Sequence, residues 1–87
     1  MGEGPYGYRP EVLEALRGHG VAPTGTTRPE LVQEFVSDLY RYEIRRLRDR
    51  LLAGEFPRKE YAGRMIALRM RYRVLSMRAT EWLDRQV

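Results

Sequence analysis

Few residues in this chain could do proton or metal chemistry. The 87 residues include one histidine, His19, and no cysteine. Thiol nucleophiles, thiolate metal sites and disulfides are therefore excluded. A lone imidazole has no second His or Cys with which to complete a zinc site and no evident nucleophile to activate. His19 stands between Gly18 and Gly20 at the expected end of a helix, a place where the dipole favours a cationic side chain without any catalytic role. No Walker-type phosphate loop is present, and no G-x-G-x-x-G follows a strand. The expectation is a non-enzyme with no cofactor, no catalytic residue and no metal ligand.

One acid and a set of arginines stand apart from that background. Glu43 projects near Leu39 and Leu47 on the core-facing side of a helical pattern. A carboxylate held there needs a partner, and Arg46, Arg50 or an arginine from the next helix can supply it. Of the 16 basic residues only Lys59 is a lysine; 12 acids bring the net charge to +4. Such a bias follows either from a GC-rich genome or from a need for the bidentate guanidinium fork. Arg41, Arg45 and Arg48 recur at i, i+4, i+7, Arg46 and Arg50 form a second row, and the following helix adds Arg64 and Arg71 on one side, Arg69 and Arg73 on the other. Tyr40, Tyr42 and Tyr72 are interleaved with them. Arginines neutralise phosphates and tyrosines stack on unpaired bases. Arg41, Arg45, Arg48, Arg46 and Arg50 are accordingly the candidates for a nucleic-acid reading. The same tyrosines also fit apolar stripes, which makes them core or interface rings in the alternative. A helix-turn-helix is disfavoured, because the helix carrying these arginines is too long for that motif.

The elements that must position these residues read as helices. Pro10 suits a first helical turn, Val12, Leu13 and Leu16 give a small apolar face, and Gly18 and Gly20 stop the helix. A loop follows over Val21–Thr26. Thr27 and Glu30 match a capping box, and a second, long helix runs from there to Ala53, with Gly54 as its stop. Its apolar positions form two overlapping stripes: Leu31, Phe35, Leu39 and Tyr42, then Val36, Tyr40, Ile44, Leu47 and Leu51. A shifting stripe implies different partners at the two ends, the first helix at one and the third at the other. The third helix starts at Pro57 after the turn Gly54–Phe56 and presents Tyr61, Met65, Leu68, Tyr72 and Leu75 on one face. So short a turn makes an antiparallel hairpin. Beyond Leu75 two readings stay open: Thr80 caps a short fourth helix carrying Trp82 and Leu83, or helix three runs on unbroken. No segment alternates with period two, so no strand is expected.

Part of the hairpin resembles a known family. Leu47, Leu51, Gly54-x-Phe56-x-x-x-Glu60-Tyr61, Arg64 and Leu68 are similar to the SHOCT module, a short two-helix hairpin. Pro57 stands where that pattern usually has a Ser or Thr cap, and Met65 where a second basic residue is common. The resemblance covers about a quarter of the chain, and it implies a hairpin used for oligomerisation or protein contacts.

The sequence thus predicts an all-α protein: a flexible, disordered tail over residues 1–8, unless Tyr6 or Tyr8 docks on the body, and one domain over 9–87 in which a first helix packs across a long antiparallel hairpin. It has no run of roughly 20 apolar residues that could span a bilayer and no signal-like N-terminus, so the expectation is a cytoplasmic protein without a membrane partner. Two helices carry more apolar surface than so small a domain can cover. Ile66, Met70, Val74, Met65, Tyr42 and Phe35 are the interface candidates. The expected function is a non-catalytic interaction module that pairs with a second copy, as a homodimer, or with another protein. A small basic RNA- or DNA-binding protein is the alternative.

Overall fold

A computed structural model describes residues Gly4–Gln86, without the side chains of Arg85 and Gln86. The order is β1 (Tyr6–Tyr8), α1 (Pro10–Arg17), α2 (Pro29–Leu52), a 3-10 turn at Arg58–Glu60, α3 (Tyr61–Arg71), 3-10 turns at Arg73–Ser76 and Ala79–Trp82, and β2 (Leu83–Gln86). The molecule is elongated, about 50 Å by 18 Å by 16 Å. α2 runs along it as the spine: 24 residues at 1.5 Å each make a rod of about 36 Å.

Local chemistry explains the spine's two ends. Pro29 fills the first helical position and Glu30 the first turn, both suited to the positive N-terminus. The expected Thr27–Glu30 box does not form, because Thr27 belongs to the preceding turn, where its hydroxyl accepts from the Thr24 N–H at 3.0 Å. Arg28 takes the cap position without a side-chain cap. At the other end Gly54 has φ +76°, and the Glu55 N–H reaches the Arg50 carbonyl at 2.9 Å. That six-to-one closure requires a left-handed residue. α3 follows antiparallel to α2 and rests on it through Leu68 and the half-buried Tyr61 and Met65.

Two parts of the expectation are corrected by one side chain, Trp82. α3 ends at Arg71 and the chain turns twice in 3-10 form, so no fourth α-helix follows. Trp82 is fully buried with Leu16, Val36 and Val12, and its indole N–H donates to the Val74 carbonyl at 3.1 Å. A continuous helix would carry Val74 and Trp82 away from this cluster. The tail is corrected as well. Tyr6–Tyr8 pairs antiparallel with Leu83–Gln86, with an irregularity between Gly7 and Tyr8. Tyr8 is buried and its hydroxyl donates to the Thr27 carbonyl. The first three residues of the expected tail lie outside the described residues. A two-stranded ribbon alone is marginal; here it is held by the Arg9 N–H on the Trp82 carbonyl (2.9 Å) and the Tyr6 N–H on the Gly25 carbonyl (3.0 Å). No described helix is long and apolar enough to cross a membrane.

Candidate functional site

Three features of the spine and hairpin carry unusual surface. The first is the outer face of α2. At about 100° per residue, Leu31, Phe35 and Tyr42 fall within about 40° of one line, roughly a third of a turn from the buried line of Val32, Val36 and Leu47. All three are more than half exposed. Three of the four residues of the first stripe read from the sequence are therefore left open rather than covered by α1. Leu39, beside this line, is partly buried against the core. Charges flank the line in order. Glu30, Glu34 and Asp38 occupy the N-terminal half; Arg41, Arg45, Arg46, Arg48 and Arg50 dominate the C-terminal half. Arg41 pairs with Asp38 within the helix.

The second feature lies on α3. Ile66 and Met70 are both exposed, on the side of the helix away from α2. Val74, expected to continue that face, is buried instead, because the 3-10 turn after Arg71 rotates it into the Trp82 cluster. Met65 is half-buried against α2. Of the six interface candidates, Phe35, Tyr42, Ile66 and Met70 are therefore at the surface, in two separate patches.

The third feature is a groove of about 210 Å³ between α2 and α3, floored by Leu47 and Leu68 and edged by Arg46, Arg50, Arg64 and Arg71. The sequence had placed Arg46 and Arg50 in one row and Arg64 and Arg71 in another; the hairpin brings the two rows face to face. Arg41, Arg45 and Arg48 are exposed on α2 outside the groove. Three of the four groove arginines are held by carboxylates. Arg50 Nε donates to Glu55 at 2.9 Å, Arg64 donates to Glu60 at 3.0 Å, and Arg71 Nη2 donates to both oxygens of Glu43 at 2.9 and 3.1 Å. The buried Phe56 ring lies under Arg64 (4.1 Å to the guanidinium carbon) and near Arg50 (5.7 Å), an arrangement that favours a cation over the ring face. Tyr42, beside Arg46, pushes that guanidinium's pKa above the ordinary arginine value.

At the groove's inner end, Glu43 is the hub that ties three segments together. Besides Arg71 it accepts the Tyr72 hydroxyl at 2.6 Å. Tyr72 is buried, stacks on His19 at 4.1 Å and lies 5.0 Å from the Tyr40 ring. Its burial first, then the neighbouring carboxylate, pushes the phenol pKa up to about 12. The carbonyl of Arg71 can only accept, so the His19 Nε2 at 2.8 Å carries the proton. His19 thereby clamps the α1–α2 loop onto the C-terminus of α3. Arg71 Nη2, reaching both carboxylate oxygens, satisfies the need of Glu43 for a partner; of the alternatives the sequence left open, Arg46, Arg50 or an arginine of helix three, it is the last that forms. Among the described residues no group of three His, Asp or Glu side chains could hold a metal.

The Arg/Tyr alternation of the sequence does not survive as one surface. Tyr72 is buried and Tyr40 half-buried, so of the three interleaved rings Tyr42 alone is exposed. Comparison with protein-family models, curated proteins and solved structures finds no match for this chain.

Proposed function

We propose that this chain is a non-catalytic interaction module that pairs with a second copy of itself through the outer face of α2. The observation that carries the reading is the exposed line of Leu31, Phe35 and Tyr42, flanked by charges that are complementary to themselves when reversed. An antiparallel two-fold beside Asp38 and Leu39 sets Phe35 against the partner's Tyr42. On one flank Glu34, Asp38, Arg41 and Arg45 fall within about 60° of each other. The same axis leaves Glu34 and the partner's Arg45, and Asp38 and the partner's Arg41, two residues out of level, about 3 Å along the helix and within reach of these long side chains. A parallel pair would set acid beside acid and arginine beside arginine, which is repulsive. A two-fold contact of this kind closes on itself and stops at the dimer. The likeness of residues 47–68 to SHOCT hairpins points towards the same kind of role.

Sedimentation equilibrium in moderate salt tests this directly. A concentration-dependent dimer is expected at micromolar protein. Glu34→Arg should weaken it, and adding Arg45→Glu to the same chain should restore it by reversing each pair. A monomer at all concentrations would sink the proposal. A dimer indifferent to Glu34→Arg would move the contact to Ile66 and Met70.

A further inference from the structure

We infer that the arginine groove between α2 and α3 binds a compact phosphate-bearing anion of the diphosphate class. This does not depend on self-association, since the groove lies on the hairpin's inner seam and the pairing line on the outer face of α2, with Arg46, beside Tyr42, bordering both.

The charge distribution points to this end of the molecule. Residues 43–71 carry nine basic and four acidic side chains, net +5, while the rest of the chain sums to −1. Four arginines line one recess whose floor is leucine, with Glu43 as its one acidic lining residue. Apolar walls of this kind focus the field of the charges at the rim.

Hydrogen-bond capacity sharpens the argument. A guanidinium has five N–H donors. Among the described residues Arg50 uses its Nε alone on a side chain, Arg64 its Nε and Nη2, and Arg71 its Nη2. The remaining Nη groups of Arg50, Nη1 of Arg64, and Nε and Nη1 of Arg71 have no protein acceptor among those bonds. Glu55 and Glu60 act as props for Arg50 and Arg64 outside the groove lining, and Glu43, which itself lines the inner end, holds Arg71. Together with the Phe56 ring they fix the planes of the cations before a ligand arrives, which lowers the ordering cost of binding. Arg46 completes the rim and makes no salt bridge with any described carboxylate.

Size selects the ligand. A recess of about 210 Å³ is smaller than the roughly 300–1,000 Å³ typical of pockets for drug-sized molecules. It suits a small oxyanion or the charged end of a larger molecule. Multiple guanidinium forks favour the tetrahedral oxygens of phosphate over a halide. Free diphosphate and the end of a nucleoside diphosphate share this chemistry.

The test is a titration of the full-length, ¹⁵N-labelled protein, with arginine Nε–Hε resonances as the readout. It is run on the Phe35→Ala background, so that loss of pairing and loss of anion binding cannot be confused. Inorganic pyrophosphate should give saturable shifts at Arg50, Arg64 and Arg71, and sodium chloride at matched ionic strength should not. ADP as a second titrant separates the sources: saturation at the same arginines assigns the nucleotide end-group, and saturation by pyrophosphate alone assigns the free anion. Arg50→Gln/Arg64→Gln should weaken binding on the order of tenfold or more. Arg46→Gln, which leaves every hairpin ion pair intact, should weaken it by a smaller factor. Linear, unsaturating shifts that match the chloride control would overturn the inference. So would shifts centred on Arg41, Arg45 and Arg48, or binding of an RNA oligonucleotide with pyrophosphate inert.

Discussion

Replacing Phe35 by alanine separates folding from association, because its ring faces solvent in one copy and is expected to face the partner's Tyr42 in two. An aromatic side chain presents about 200 Å² when fully exposed. With 53% of Phe35 accessible, about 100 Å² remains to be covered by a partner. At about 25 cal/mol per Å² this corresponds to about 2.5 kcal/mol per copy, or about 5 kcal/mol per dimer as an upper bound. Ordering of the interface and the surface that alanine still buries reduce the figure by about half. The dimer Kd should therefore rise roughly 50- to 100-fold. The isolated fold should not suffer, since Phe35 is outside the buried core cluster and alanine is the better helix former by up to about 0.7 kcal/mol. Sedimentation equilibrium gives the Kd, and a thermal melt at dissociating dilution gives the stability of the single chain. An unchanged Kd would refute the assignment of this face. A large fall in melting temperature at high dilution would refute the claim that Phe35 contributes nothing to the monomer.

Other outcomes follow from the body and the turns. Trp82→Ala removes the largest fully buried side chain and should cost about 3–5 kcal/mol in a denaturant melt, enough to unfold a marginal domain. Gly54→Ala places a side chain at φ +76° and should destabilise by about 1–2 kcal/mol. Gly63→Ala, inside α3 with open space at the new methyl, should stabilise by roughly 0.4–1 kcal/mol. Burial pushes both the Tyr8 and Tyr72 phenols up to about 12, above the usual value near 10 for an unfolded chain. The folded protein thus holds these protons more tightly. Their contribution is complete below about pH 10 and is lost as pH rises through about 12. Urea melts at pH 8 and pH 11 should differ, and Tyr8→Phe with Tyr72→Phe should narrow the difference; an unaltered gap would refute the assignment.

The long helix, its glycine stop and the antiparallel hairpin were legible because their signals are local. Pro29, Gly54 and the recurrence of Tyr61, Met65 and Leu68 act within a few residues of themselves. The ribbon and the end of α3 were not legible, because their cause is distant. Nothing between Arg71 and Trp82 is a glycine or a proline, and only the docking of Trp82 on Val74 shows why the helix must stop. Tyr6–Tyr8 has too few residues to show alternation; its partner strand lies at the other end of the chain. For the candidate site, the period of α2 marks two apolar stripes and two arginine rows but not which stripe faces inward. Both lines have large side chains, and the choice was made by Val32, Val36 and Trp82 in a core the sequence could not assemble. The ion pair of Glu43 could be anticipated from its place among leucines; the stacking of His19 on Tyr72 could not, since it joins residues 53 positions apart.

The ribbon between Tyr6–Tyr8 and Leu83–Gln86 also dictates an order of assembly. The hairpin joins residues near in sequence and can close early, whereas the ribbon must wait for a loop of nearly the whole chain, whose closure entropy grows with its length. On a ribosome the spine can form while the last strand is still inside the exit tunnel, and the clasp around Trp82 is then the final act of folding. Pulsed hydrogen exchange during refolding should accordingly protect the amides of α2 and α3 before those of Tyr6 and Tyr8; simultaneous or earlier protection of the ribbon would refute this order.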